Sequence, residues 1–284
     1  MKKENRKKVY NTTESIKKVL RYVVPRNLRK KLKNLYFPDK IAWSIKRKNI
    51  KKFYAHFINK NDLVFDIGAN KGQFTEIFAE LAKKVIVLEP NKDLVKVLLN
   101  KFKKNDKIIV VPKGVSDKGE IKDFYVNLDQ DCCSTFSKEF KESRISKHTP
   151  NWEKRDKIEM TTLDKLIEKY GKPKFIKIDV EGYEKEVLGG LNIPVKFLSF
   201  EFSRLFKELK DTEDCIKKIK KLSKNSKFNF SFSHDYEFVS EWGNPEKIIK
   251  QIKNTVKNLE DIKDQDELLK LWGKIGGDIY VKMF

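Results

Sequence analysis

The strongest constraint in this sequence is a rhythm. Strand-like runs at Leu63–Asp66, Lys84–Leu88, Lys107–Pro112, Lys174–Asp179 and Lys196–Phe202 alternate with segments of helical period such as Gln73–Ala82, Lys92–Asn100 and Leu163–Tyr170. A chain that alternates in this way builds βαβ units around a mostly parallel sheet. A stretch within Phe228–Val239 and the run Asp278–Phe284 bring the candidate strands to seven. Further helices are predicted at Tyr183–Leu188, Asp214–Leu222, Pro245–Asn258 and Gln265–Trp272. The expected fold is α/β, a Rossmann-like, doubly wound open sheet. With 284 residues the chain can bury one sizeable core.

Between the third and fourth candidate strands the pattern weakens. Lys118-Gly119-Glu120 reads as a turn joining Lys113–Ser116 to Ile121–Asn127 in a small hairpin, and Asp129–Asp156 follows without clear period. So long a loop inside a compact domain is usually functional or disordered. Because Cys132, Ser134, Thr135, His148 and Trp152 fall in it, it is expected to form a flap over a substrate. Its alternative is a flexible surface loop.

Charge divides the chain. The net charge is +22, and residues 1–60 hold 20 Lys and Arg against three acids, leaving the rest nearly balanced. Ile16, Val19, Leu20, Val23 and Val24 recur at helical spacing, and after Pro25 the stripe resumes at Leu28, Leu32 and Leu35 opposite lysines and an arginine. Two domains are therefore expected, a basic helical extension over 1–60 and a catalytic domain over 61–284. A basic amphipathic segment such as 1–38 can lie on an anionic membrane surface, grip nucleic acid, or simply pack as a solvated appendage. With no long apolar run and three cysteines that form no disulfide framework or metal spacing, a cytoplasmic protein is expected, at most peripheral on the inner membrane surface.

The chemistry concentrates where the first strand ends. Asp66-Ile-Gly68-Ala69-Asn70-Lys-Gly72 places two glycines four apart with Asn70 between them, so it lacks the three-glycine spacing that admits a dinucleotide pyrophosphate. The second strand ends in Glu89-Pro90, 21 positions after Gly68. An acid at that tip accepts hydrogen bonds from ribose hydroxyls. A nucleoside without a pyrophosphate fits these residues better than a dinucleotide.

Further along, Thr162-Leu-Asp164 precedes Lys177-Ile-Asp179-Val-Glu181-Gly182-Tyr-Glu-Lys-Glu-Val-Leu-Gly-Gly190. Together with the glycine turn and Glu89-Pro90, this block resembles the FkbM-type class I methyltransferases over roughly residues 50–284. The resemblance implies sheet order 3-2-1-4-5-7-6, S-adenosyl-L-methionine as cofactor, and O-methylation, often of sugar hydroxyls in glycans, glycolipids or natural products. Beside it, Asp66, Gly68, Ala69, Asn70 and Gly72 would form the turn under the methionine part, Glu89 with Pro90 would hold the ribose, and Ser116, between Val115 and Asp117, would meet the adenine.

In the fourth strand the extended chain alternates sides, so Lys177, Asp179 and, where extension persists, Glu181 project one way. Charges entering a central strand are expensive unless paired, so they form either a structural ion pair or a substrate-facing acidic site. Asp179, Glu181 and Glu201, at the tip of the fifth strand, are the candidate catalytic residues, positioned to hold an acceptor hydroxyl and take its proton. Two carboxylates at a rim can also hold Mg²⁺, but the spacing offers no clean ligand set and no metal is expected. His56 reads as structural; His148 and His234 could wall an acceptor pocket. Two other functions stay open: an RNA methyltransferase that grips phosphates with the basic segment, and a non-catalytic remnant of the same fold tethered at a membrane. The absence of an N-P-P-Y type motif weighs against the former, and intact acids against the latter.

Overall fold

The computed structural model describes residues 38–130, 133–142, 151–203, 207–232, 235–256 and 276–284. Two compact units divide the chain, residues 1–50 and 51–284. The basic stripe of residues 1–37, His148, His234 and the helix predicted at 265–272 lie outside the described residues. Of the first unit only the start of helix α1, Pro38–Tyr54, is described. No described helix is long and apolar enough to cross a membrane.

The second unit carries strands β1 (Leu63–Ile67), β2 (Lys84–Leu88), β3 (Ile108–Val111), β4 (Gly114–Val115), β5 (Ile121–Asn127), β6 (Trp152–Thr161), β7 (Phe175–Ile178), β8 (Phe197–Ser203), β9 (Lys227–Phe232) and β10 (Gly276–Lys282). Between them run helices α2 (Gln73–Leu81), α3 (Lys92–Phe102), α4 (Lys138–Lys141), α5 (Leu163–Tyr170), α6 (Glu184–Gly189), α7 (Lys207–Leu222) and α8 (Pro245–Val256). Seven strands form one sheet in the order β3-β2-β1-β7-β8-β10-β9. Only β10 runs against its neighbours, so the open, mostly parallel sheet of the expected order is present. Some helices start where the sequence supplies a side-chain cap. Asn91 accepts the Asp93 N–H at the head of α3, and the Thr162 hydroxyl accepts that of Lys165 at the head of α5.

The two faces of this sheet differ in chemistry. Phe65, Ile67, Ile176, Ile178, Leu198 and Phe200 point into the main core. The alternate positions of the same strands carry Asp66, Lys177 and Ser199, which are register partners across β1, β7 and β8. Aromatic rings cover part of that polar face. Phe57 stacks on Tyr280 with centroids 5.7 Å apart, and Tyr54 meets Phe78 and Phe175 edge-on. These contacts wall off water from the charges beneath.

Two expectations from the sequence need correction. Lys113–Ser116 and Ile121–Asn127 do not pair with each other; both β4 and β5 pair with β6, giving a second sheet of order β4-β6-β5. The last part of the predicted loop, from Trp152, is therefore strand β6, and its described residues before that include the short helix α4. The run Lys154-Arg-Asp-Lys157 hides a strand because its apolar signature is confined to Ile158 and Met160, which are buried while Lys157 and Glu159 are exposed. Helix α7 also begins well before Asp214, at Lys207; among the described side chains of its first turns only Leu209 and Thr212 pack inward, so the sequence carries little apolar period there.

Candidate functional site

Strand β1 ends in a turn whose backbone only a few residue types can adopt. Gly68, Asn70 and Gly72 all have positive φ, at 80°, 49° and 72°. The Leu88 carbonyl accepts the N–H groups of Gly68 and Ala69, which lashes the turn to β2. A Cβ on Gly68 would lie 1.8 Å from the Asp179 carbonyl oxygen, so β1 and the end of β7 touch there with no room for a side chain. The left-handed conformation alone costs an alanine about 1–2 kcal/mol. The overlap adds to that unless the Asp179 carbonyl moves. Gly68→Ala is therefore expected to lower the melting temperature by about 5 °C or more. A melt within a degree of the parent protein would show that the contact is slack.

The turn, the tip of β2 and the end of β7 enclose a cleft of about 500 Å³, open solvent included. Gly68, Asn70, Glu89 and Pro90 line one wall, and Asp179 and Glu181 another. Leu88, Leu94, Val115, Phe124, Phe136 and Val180 supply apolar surface between them. Glu89 is 5% exposed, and its carboxylate accepts the N–H groups of Asn70 (2.8 Å) and Asn91 (2.9 Å). Those bonds fix its orientation.

Asp66, Ala69, Gly72 and Ser116, read from the sequence as cofactor residues, do not line this cleft. Asp66 accepts the Thr75 hydroxyl at 2.6 Å and is buried beside Lys177. Gly72 caps α2. Ser116 is fully buried, its hydroxyl 3.2 Å from that of Tyr183. His56, exposed, bonds through Nδ1 to the Phe53 carbonyl and stands in α1's continuation.

Asp179, Glu181 and Glu201 converge. Each offers one carboxylate oxygen within 4.8 Å of the others. This is the grouping expected from the sequence, since β8 lies beside β7 and brings Glu201 to the same rim. Three carboxylates so placed could hold a divalent cation or share a proton. Glu181 itself sits in the left-handed region at φ 54°, followed by Gly182 at 83°. That conformation costs a non-glycine residue about 1–2 kcal/mol. The Thr135 hydroxyl donates to the Glu181 carbonyl at 2.7 Å. A hydrogen bond worth about 0.5–1.5 kcal/mol is of the same order as the strain.

Beneath the rim lies a buried cation. Lys177 is 2% exposed, its ammonium 2.6 Å from Asp179 and 4.5 Å from the centre of the Phe74 ring. Burial works against its charge, yet Asp179, Asp278, Tyr54 and Asp66 more than offset this, and the pKa stands above the ordinary lysine value. The ion pair expected as an alternative for Lys177 is thus present, and it shares Asp179 with the cleft. Burial pushes Asp278 up to about 6, with Asp179 adding to the rise and Lys177 opposing it. Asp66 is raised too, by burial against the pull of Lys177. Burial and then the charges of Glu181, Asp179, Glu184 and Asp278 drive Glu201 well above the usual carboxylate range. Sequence reasoning missed Asp278; it lies opposite Glu201 in the β8–β10 register, which only the strand pairing reveals.

A family model described as the methyltransferase FkbM domain matches residues 66–243. No curated protein matches the chain. Among solved structures, methyltransferase FkbM from Methylobacillus flagellatus KT is similar at 15% identity and TM-score 0.42, over 65% of this chain and 48% of that one. The match thus spans about half the length of that protein. Precorrin-6y C5,15-methyltransferase from Geobacter metallireducens GS-15 is similar at 8% identity and TM-score 0.40, over 84% and 86% of the two chains. Aeropyrum pernix fibrillarin, with natively bound S-adenosyl-L-methionine, is similar at 8% identity and TM-score 0.36, over 64% and 66%.

Proposed function

Because the chain belongs to the FkbM methyltransferase family, we propose that it is an O-methyltransferase acting on a hydroxyl of a sugar, glycan, glycolipid or related small molecule. The observation that carries this reading is the convergence of Asp179, Glu181 and Glu201 within 4.8 Å, beside a cleft whose opposite wall is Gly68, Asn70 and Glu89. S-adenosyl-L-methionine, the methyl donor, supplies a methyl group made electrophilic by a positively charged sulfur. The cleft suits such a molecule. Its oriented carboxylate Glu89 is matched to ribose hydroxyls, and Leu88, Pro90, Val115, Phe124 and Phe136 offer a flat apolar slot for a base. Asp66, Ala69, Gly72 and Ser116 act from behind, by shaping the turn and bracing its neighbours.

The acceptor side is acidic. An alcohol is a poor nucleophile until it sheds its proton, and it becomes acidic as its oxygen begins to bond to carbon. Asp179 and Glu181, on the cleft wall, accept the hydrogen bond of that hydroxyl. The proton passes to Glu201, whose hold on it burial and the neighbouring carboxylates strengthen. Holding the hydroxyl in line supplies most of the rate, with an effective molarity of about 10⁵ M or more, and proton acceptance adds roughly 10²–10⁴.

The test is a transfer assay with methyl-labelled S-adenosyl-L-methionine against fractionated cell glycans, lipids and RNA. Label is expected in the glycan or glycolipid fraction, recovered as O-methyl sugar after hydrolysis. Label confined to RNA would replace this reading with that of a nucleic-acid methyltransferase.

A further inference from the structure

We propose that Thr135 is a positioning residue for the acidic wall: its hydroxyl holds the Glu181 carbonyl and thereby sets the Glu181 carboxylate among Asp179 and Glu201. What Glu181 does there rests on the function proposed above; the strap itself rests on geometry.

Thr135 is anchored independently of the loop it holds. Its main chain exchanges both hydrogen bonds with Tyr125 of β5, each 2.9 Å, so it moves with the small sheet and not with residues 179–182. The side chain is 1% exposed, which keeps water from competing for its bonds. Thr135 Oγ1 accepts the Ser137 N–H at 2.9 Å. With that acceptor role filled by a fixed donor, the hydroxyl proton is directed at the Glu181 carbonyl, 2.7 Å away. A second contact closes the strap. Ser137 Oγ accepts the Phe140 N–H, and the Phe140 ring covers Gly182, where a Cβ would come within 2.8 Å of Cδ2.

The held residues are the ones least able to hold themselves. Glu181 and Gly182 are consecutive left-handed residues, and a chain segment in that conformation persists only when its surroundings dictate it. The Thr135 proton fixes the peptide plane between them. Without it that plane can rotate, and the Glu181 carboxylate leaves the position from which it reaches its two partners.

Three variants of the whole chain test this: Thr135→Val, which keeps the volume and loses the proton, Thr135→Ser, which keeps the proton, and Thr135→Cys, a weak donor of similar size. With whichever cell fraction takes up label, Thr135→Val is expected to lower kcat about 10- to 100-fold. KM for S-adenosyl-L-methionine and calorimetric binding of S-adenosylhomocysteine should stay within about twofold. Amide exchange in the peptide covering 179–184 should quicken about tenfold or more. Thr135→Ser should restore both rate and protection, and Thr135→Cys should fall between, which decides the matter if the valine protein does not fold. Wild-type kcat in Thr135→Val, or equal loss in Thr135→Ser, overturns the proposal. Should Glu181→Gln transfer methyl at the wild-type rate, the role given to Glu181 fails instead. The exchange comparison then decides the strap alone: faster exchange in the valine variant only supports it, and equal exchange in all three overturns it.

Discussion

Replacing Lys177 with methionine is expected to remove about 3 kcal/mol of stability, more than any other single change in the polar face of the sheet. Removing one partner of a buried ion pair typically costs about 3–5 kcal/mol, because the remaining charge stays buried without compensation. The lower figure applies here, since the Asp179 side chain is 32% exposed and water relieves part of the loss. Asp66, 1% exposed, has no such relief, and the raised pKa values of Asp66 and Asp278 report the strain already present with the ammonium in place. The size of the effect depends on pH. An acid whose folded pKa is raised binds more protons in the native state, so its stabilising contribution is complete below the unfolded value of 3.8 and is lost as pH climbs to about 6 for Asp278. Taking away Lys177 lifts Asp66 and Asp278 further and extends that decline to higher pH. Urea unfolding at pH 5 and pH 7 should therefore show the smaller deficit at pH 5, and Lys177→Met combined with Asp179→Asn should recover part of it. A deficit under 1 kcal/mol at both pH values would mean that the buried charge is solvated by some other route.

Glu201→Gln is expected to lower methyl transfer by roughly 10²–10⁴ while S-adenosylhomocysteine binds as before, because the amide retains shape and loses the proton sink. Asp179→Asn and Glu181→Gln should each lower it too, and combinations should fall well short of multiplying, as residues that act together do. The sign of the pH dependence follows from Glu201. Burial and four neighbouring carboxylates hold its proton well above the usual range, so transfer should rise with pH through an apparent pKa above the ordinary glutamate value. In Glu201→Gln that limb should flatten. If Glu201→Gln kept both rate and profile, the proton would be going elsewhere, and Asp179 with Glu181 would have to act without it.

Much of this arrangement could be read from the chain because it follows from strand periodicity. Lys177 and Asp179 face one way by alternation and Glu201 joins them because β8 is the parallel neighbour of β7, whereas Glu181 lies past the end of β7 and reaches the group through a left-handed turn, not through the strand period. The turn at Gly68 was legible for a related reason, glycine being the residue that tolerates both the positive φ and the approach of Asp179. The failures have physical causes as well. Strand β6 was hidden by Lys154–Lys157, since a run of charge erases the alternation that marks a strand, and with it went the true partners of β4 and β5. Asp278 lies 77 positions from Glu201 and meets it only through antiparallel register, which no local pattern encodes. Asp66 stands at the expected place but spends its hydrogen bonds on Thr75 and its charge on Lys177, a choice made by burial. Thr135 sits in a stretch without period, where a hydroxyl gives no sign of what it will hold.

The close approach of Gly68 to Asp179 has a consequence for selectivity. The Asp179 N–H is bound by the Ile67 carbonyl at 3.0 Å, and its own carbonyl abuts Gly68. The wall that faces the donor and the wall that faces the acceptor are thereby keyed to one another like the jaws of a fixed spanner. On the function proposed above, that gap does not widen to suit a bulkier alcohol, discrimination among acceptors falls to the thickness of the group entering the jaws, and accommodation comes from the Ser134–Phe136 side.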